Sequence, residues 1–166
     1  MPHEGQWHDV FERERNSILD HSAGLVIDVQ HVGSTAVPGL DAKPIIDIAV
    51  GVDTPRLVAV LSRILTGIGW IYRGDKGQDG GHLFVKEAAP DFRTHHLHVV
   101  VIDDGRWKDY LAFRDILRRN ERVRNEYAAL KRELEKMYRD DRGSYTSRKS
   151  EFVSAVLAKH AGKREA

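Results

Sequence analysis

Apolar residues fall along this chain in rhythms that change from segment to segment. In residues 6–22, Trp7, Val10, Phe11 and Ile18 recur at the spacing of one helical face, and Gly24 follows as a stop. Residues 25–32 (LVIDVQHV) are rich in β-branched side chains and read as a strand that ends at Gly33. Residues 43–52 hold PIIDIAVGV, an apolar run broken by one Asp, the pattern of a central strand covered on both faces. Asp53 or Thr54 with Pro55 starts a helix whose buried stripe is Leu57, Val58, Leu61, Ile64, Leu65 and Ile68.

Gly69 opens a second β region. WIYRG and HLFVKE flank GDKGQDGG, a glycine-rich stretch that reads as a hairpin loop. Residues 94–102 (THHLHVVVI) follow the loop AAPDFR, and these three strands are expected to pair antiparallel. Beyond Trp107 the period turns helical. Trp107, Tyr110, Leu111, Arg114 and Leu117 mark one helix; Val123, Tyr127, Leu130, Leu134 and Met137 mark a second, capped by Asn120. Phe152, Val153, Val156 and Leu157 mark a third, entered through DRGSYTS. The expected fold class is α+β in one domain of residues 1–166, with a sheet region over about 1–104 and a helical region over about 105–162.

Composition narrows this picture in a few places. The 166 residues suffice to bury one core without covalent staples. The absence of cysteine excludes disulfides and thiolate metal ligation. The polar N-terminal segment has no export signal, and no apolar run approaches the ~18–20 residues that span a bilayer, so a cytoplasmic location and no membrane partner are expected. A net charge of +1 and the lack of a groove-reading motif make nucleic acid an unexpected partner. Arg and Lys concentrate between residues 114 and 149, which fits either a solvated helix face or a basic wall for a phosphate.

Candidate chemistry gathers in residues 31–50, HVGSTAVPGLDAKPIIDIAV. Gly33 lets the backbone turn sharply and approach a ligand. Ser34 offers a hydroxyl and nearby backbone N–H groups to an anion, and a short helix over residues 35–40 would add a positive dipole end. Asp47 interrupts an apolar strand, where an unpaired carboxylate would cost several kcal/mol. Such a residue belongs at a site edge, holding a cation or a basic partner.

A Gly-Ser turn followed by an Asp in the next apolar strand resembles the nucleotidyltransferase superfamily. More narrowly, HVGSTAVPGLDAKPIIDIAVGV, RTHHLHVV, FRDILRRNERVRNEYAALKREL and YTSRKSEFV resemble the GrpB-like family over nearly the whole chain. The resemblance implies a nucleotidyltransferase-like mixed β-sheet flanked by helices, with transferase chemistry on a small anionic or nucleotide ligand. It implies a nucleoside triphosphate held at Gly33, Ser34 and Lys43, and a divalent metal, Mg or Mn, at Asp47. Lys131, Tyr145 and Lys149 would then lie on helices closing over the sheet and supply contacts to that ligand, with Tyr127 beside them.

One departure stands out. Two residues beyond Asp47 the nucleotidyltransferase superfamily pattern calls for a second acid, and this chain has Ala49. Both positions share one face of a strand, so the second ligand of a two-metal site is missing. The run THHLHVV lies where a third carboxylate would be expected, and alternation puts His96 and His98 on one face with His95 and Leu97 on the other. A cluster of Asp47, His96 and His98, with His31 as a further ligand, suits Zn or another transition metal better than Mg. The same histidines suit metal-free acid–base catalysis, or simple hydrogen bonding. Arg93 adjoins this strand and offers a bidentate clamp for an anion, His82 is a candidate to reach the site from its own strand, and residues 74–81 are a candidate lid.

Two classes of function follow. In one, Asp47, His96 and His98 are catalytic in a nucleotidyltransferase or in a histidine- or metal-dependent enzyme that has reused the pocket. In the other, the chain is a non-catalytic ligand-binding or folding-assistance module with a degenerate carboxylate site.

Overall fold

Trp7, Phe11 and Ile18 form the buried face of α1 (Glu4–Ser22) and rest on a five-stranded sheet. The computed structural model describes residues 4–77 and 81–161. The strands are β1 (Val26–Val32), β2 (Ile46–Val52), β3 (Ile71–Asp75), β4 (His82–Ala89) and β5 (Phe92–Val101), in the spatial order β1-β2-β5-β4-β3. Neighbours run antiparallel except β2 and β5, which are parallel at the centre. The expected antiparallel set of β3, β4 and β5 is therefore present, and the sheet as a whole is mixed.

Alternation along β2 sorts its side chains between two layers. Ile46, Ile48, Val50 and Val52 enter the main core, with Leu61 and Leu65 of α2 (Leu57–Gly67), Trp70, Phe84 and Leu97. Each such fully buried side chain contributes roughly 1.5–3 kcal/mol, as an upper estimate. Asp47, Ala49 and Gly51 face the other way, where Val32, Ala49 and Val100 pack on Trp107 of α3 (Gly105–Arg119).

The helical region is not an appendage. Val37 and Leu40, from the loop after β1, are buried with Ile116 and Leu117 of α3, Val123 and Tyr127 of α4 (Glu121–Met137), and Val156 of α5 (Arg142–Ala161). The loop carrying the Gly-Ser turn is thus clamped by the helices that close over it.

Several boundaries differ from the sequence expectation, each for a local reason. The helix expected over residues 35–40 is one 3-10 turn, Ser34–Ala36, because Val37 and Leu40 are drawn into the helical core instead. Most of AAPDFR lies inside β4 and β5, with the reversal made at Pro90 and Asp91, the latter at φ 62. β2 begins only at Ile46, since Pro44 has no N–H for a ladder and Ile45 N bonds Lys43 O (2.7 Å) in a tight turn. DRGSYTS is mostly helical: Asp141 accepts hydrogen bonds from Ser144 N (3.1 Å) and Ser144 Oγ (2.6 Å), starting α5 at Arg142. The expected cap at Asn120 is present, its Oδ1 accepting from Val123 N at 3.1 Å. Of the glycine-rich loop, residues 78–80 lie outside the described residues.

Candidate functional site

The parallel register of β2 and β5 sets Asp47 beside His96 and Ala49 beside His98. All point to the face under α3 and α4, so one carboxylate and two imidazoles meet there. His96 Nδ1 stands 3.4 Å from Asp47 Oδ1, and His98 Nε2 stands 3.7 Å from the same oxygen. Offered ligand atoms of these three residues all lie within 4.8 Å of one another. Burial pushes the Asp47 carboxyl up, but hydrogen bonds and charge from His96 and His98 outweigh it and hold the group well below the usual carboxylate range. Asp47 is therefore a fixed anion, partly shielded and open to a cation.

Gly33 makes this approach feasible. Its φ is 73, and a Cβ there would stand 2.5 Å from Asp47 Oδ2. Only glycine lets the β1 turn pass so close to the carboxylate. Ser34 follows at once and accepts a hydrogen bond from Lys131 Nζ of α4 at 2.6 Å. The loop is pinned from α3 as well: Arg118 Nε donates to Ala36 O (2.9 Å), and Arg114 Nη1 donates to His31 O (3.1 Å) and Gln30 Oε1 (2.8 Å). Arg114 is expected from the sequence only as a helix position and Arg118 not at all, although their spacing of four on one helix face is a signal that both reach the same loop.

Two lysines share the space above Asp47. Lys131 lies over the Tyr127 ring at 5.1 Å, and Lys149 of α5 hydrogen-bonds Tyr127. Burial, followed by the charge of Lys149, brings Lys131 down to about 8, with Asp47 pulling the other way. Lys149 is held above its ordinary value by Tyr127 first and by Asp47 and Tyr145 besides, against its own burial. Burial raises the Tyr127 phenol. Tyr145 is close enough to Lys149 to affect it and also carries Arg142 over its ring at 5.1 Å. Ser34, Lys131, Lys149, Tyr127 and Tyr145 thus form a cationic, aromatic wall facing the Asp47 cluster.

Other candidates stand elsewhere. His31 pairs with Ile48 across β1 and β2, while Val32 pairs with Asp47, so His31 turns into the main core. There it stacks on Phe11 (4.8 Å between centroids) and donates from Nε2 to Thr35 Oγ1 at 2.9 Å, whose own proton goes to Ile45 O. It is outside the group formed by Asp47, His96 and His98. Lys43 is exposed and bridges to Glu135 of α4 at 3.3 Å, near enough to Lys131 to lower it. Arg93 is exposed at the head of β5, opposite Glu87. His82 bonds the Tyr72 hydroxyl at 2.9 Å on the far edge of the sheet. Tyr110, expected only as a core position, tilts its ring over His98 at 5.4 Å.

The donor set decides which metal would fit. Ala49 is fully buried among Val32, Val100 and Trp107, so the place of a second carboxylate is filled by packing. A two-ion Mg site does not fit these residues. Two nitrogens and one carboxylate oxygen on one face fit a single transition ion.

These features define an α+β protein built on a mixed five-stranded sheet, with a carboxylate–histidine cluster beneath a lysine-lined helical cover. The chain belongs to the GrpB family, whose model, described as GrpB protein, matches residues 1–159. It is 35% identical over 160 residues to the glutamate-rich protein GrpB of Alkalihalophilus pseudofirmus, covering 95% of this chain and 92% of that one. It is 38% identical over 165 residues to a UPF0157 protein of Pseudomonas aeruginosa, covering 96% of this chain and 66% of the relative. The crystal structure of conserved protein GrpB from Enterococcus faecalis superposes with a TM-score of 0.77 at 32% identity, covering 93% of this chain and 94% of that one. Among the described residues no helix is long and apolar enough to cross a membrane.

Proposed function

We propose that this protein is an enzyme that modifies a small molecule with the help of an anionic, phosphorylated co-substrate, a nucleotide being the form the fold suggests. Asp47, His96 and His98 hold one divalent transition ion, and Ser34, Lys131 and Lys149 hold the phosphate groups. The observation that carries this reading is the meeting of the Asp47–His96–His98 cluster with two lysines that both feel the Asp47 charge. A bound ion would act there as a Lewis acid on a phosphoryl or carbonyl oxygen. Lys149 stays cationic and neutralises charge on the co-substrate. Lys131, brought to about 8, is mostly cationic at neutral pH and binds phosphate there, losing that charge just above it. Tyr127 and Tyr145 supply flat surfaces for a base or an apolar group.

Tag-free protein equilibrated with Zn²⁺, Mn²⁺ or Fe²⁺ and then desalted should retain about one ion per chain, and Asp47→Asn should retain none. The loaded protein is next incubated with each nucleoside triphosphate and a panel of amine, hydroxyl and carboxylate acceptors, and phosphate and pyrophosphate release is followed. Protein that stays metal-free under all three ions refutes the metal reading. The burial of Ala49 favours a second reading, an anion-binding module without turnover. Nucleotide binding that depends on Lys131 and Lys149, with no product from any acceptor, would select it.

A further inference from the structure

Among the described residues most lysines are settled in one of three ways. Lys76, Lys108, Lys136 and Lys159 are exposed to water. Lys43 and Lys86 are paired with carboxylates, Glu135 at 3.3 Å and Glu14 at 2.9 Å. Lys149 is held above its ordinary value by Tyr127 first and by Asp47 besides.

Lys131 fits none of these. It is half-buried, and among the described residues it forms no ion pair. Its Nζ donates to two neutral oxygens, Ser34 Oγ at 2.6 Å and Asp41 O at 3.5 Å, and stands 5.1 Å over the Tyr127 ring. Charges face it from every element around it: Lys149 of α5, Asp47 of β2, and Lys43 and Asp41 of the loop before β2. Burial and the two lysines outweigh the two carboxylates, which brings the amine to about 8. A partly desolvated amine beside a second cation is the setting in which lysine becomes a nucleophile.

The neighbours decide which electrophile suits it. Ser34 Oγ accepts from Lys131, so its own O–H remains to donate to a phosphate oxygen, and Lys149 adds a fixed positive charge. A phosphate seated on Ser34 and Lys149 brings the group it esterifies beside Lys131 Nζ. Where that group is a carbonyl, its carbon lacks the shield of charged oxygens that surrounds phosphorus, and attack needs no metal.

We propose that Lys131 is an acylation site for acyl phosphates, and that its acylation switches off the phosphate-binding part of the site. The unprotonated Nζ attacks the carbonyl carbon, the carbon–oxygen bond to phosphate breaks, inorganic phosphate leaves with the bonding pair, and the proton on nitrogen passes to solvent. The amide that forms carries no charge. This rests on the reading of Ser34, Lys131 and Lys149 as phosphate contacts and is independent of the metal.

The test incubates the full chain with acetyl phosphate between pH 6.5 and pH 10 and follows each lysine by peptide mass spectrometry. At pH 8 about half of Lys131 is free amine, against about 1 in 250 for an ordinary lysine. Its lower basicity offsets part of that advantage, so Lys131 should react about tenfold faster than Lys108 or Lys136. Its rate should level off above pH 8 while theirs keeps rising. Pyrophosphate should protect Lys131 alone, and p-nitrophenyl acetate, which has no phosphate, should show a smaller preference for it. The acetylated protein and Lys131→Gln should both bind pyrophosphate about tenfold more weakly by calorimetry. Asp47→Asn should still be acetylated at Lys131, so a failed metal site leaves this result readable. Pyrophosphate binding without selective acylation, an equal preference with p-nitrophenyl acetate, or acylation that pyrophosphate does not slow overturns this proposal alone. Unmodified protein that binds no pyrophosphate refutes the phosphate reading and this proposal with it.

Discussion

His31 gives the protein a specific weakness to acid. The residue is 7% exposed, its ring is stacked on Phe11 and bonded to Thr35, and burial brings its pKa from 6.5 down to about 4. In the unfolded chain the same group titrates at its ordinary value. A depressed histidine favours the neutral folded form, so its stabilising contribution is complete above 6.5 and drains away as the pH falls towards 4. Between pH 7 and pH 5 the linkage amounts to about 2 kcal/mol, or roughly 4–8 °C in melting temperature for a chain of this size. The perturbation is His31→Gln, which keeps a polar group near Thr35 and removes the titration. Urea unfolding of wild type and variant at both pH values supplies the assay, with the slope m checked for constancy. Wild type should lose about 2 kcal/mol more than the variant over that interval. Equal losses in the two proteins would show that His31 protonates freely in the folded state, and the burial argument would fail.

Three other outcomes follow from the site. Gly33→Ala sets a Cβ 2.5 Å from Asp47 Oδ2 at a φ of 73; it should cost about 1–3 kcal/mol in chemical denaturation and abolish metal retention. Ala49→Asp, which supplies the second acid of the nucleotidyltransferase pattern, should not confer Mg dependence. It places a carboxylate in the packed layer of Trp107 and should lower stability by roughly 3 kcal/mol or more, read by thermal melting. Lys131 loses its charge as the pH rises through about 8, so pyrophosphate affinity measured by calorimetry should fall about tenfold between pH 7 and pH 9. Lys131→Arg, charged throughout, should abolish that dependence; a matching decline in the variant would dismiss Lys131 as the titrating group.

Much of the architecture is legible in the residues because local pattern decides it. Asp47 alone interrupts the apolar run of β2, which marks both the strand and its odd position. Asn120 and the stripe from Val123 to Leu134 set the start and buried face of α4. What stays hidden is parity and register between distant segments. His31 and Val32 are adjacent, and which of them shares a face with Asp47 depends on how the turn through Gly33 aligns β1 with β2, a one-residue matter. The bond from Lys131 to Ser34 depends likewise on how α4 crosses the loop, which the burial of Val37 and Leu40 determines. The histidine pair is visible as a pattern, while its distance from Asp47 is a product of parallel pairing alone.

That pairing has a kinetic consequence. β2 and β5 are joined through α2, β3 and β4, so Asp47 meets His96 and His98 only after an entire helix and a hairpin have been threaded between them. Closing so long a loop is entropically slow, and the contact cannot form from neighbouring segments alone. The carboxylate–histidine cluster is therefore expected to assemble late in folding, and an incompletely folded chain presents three scattered side chains in place of one site. Ion capture during refolding would report completion of the sheet, arriving with the global phase and not before it.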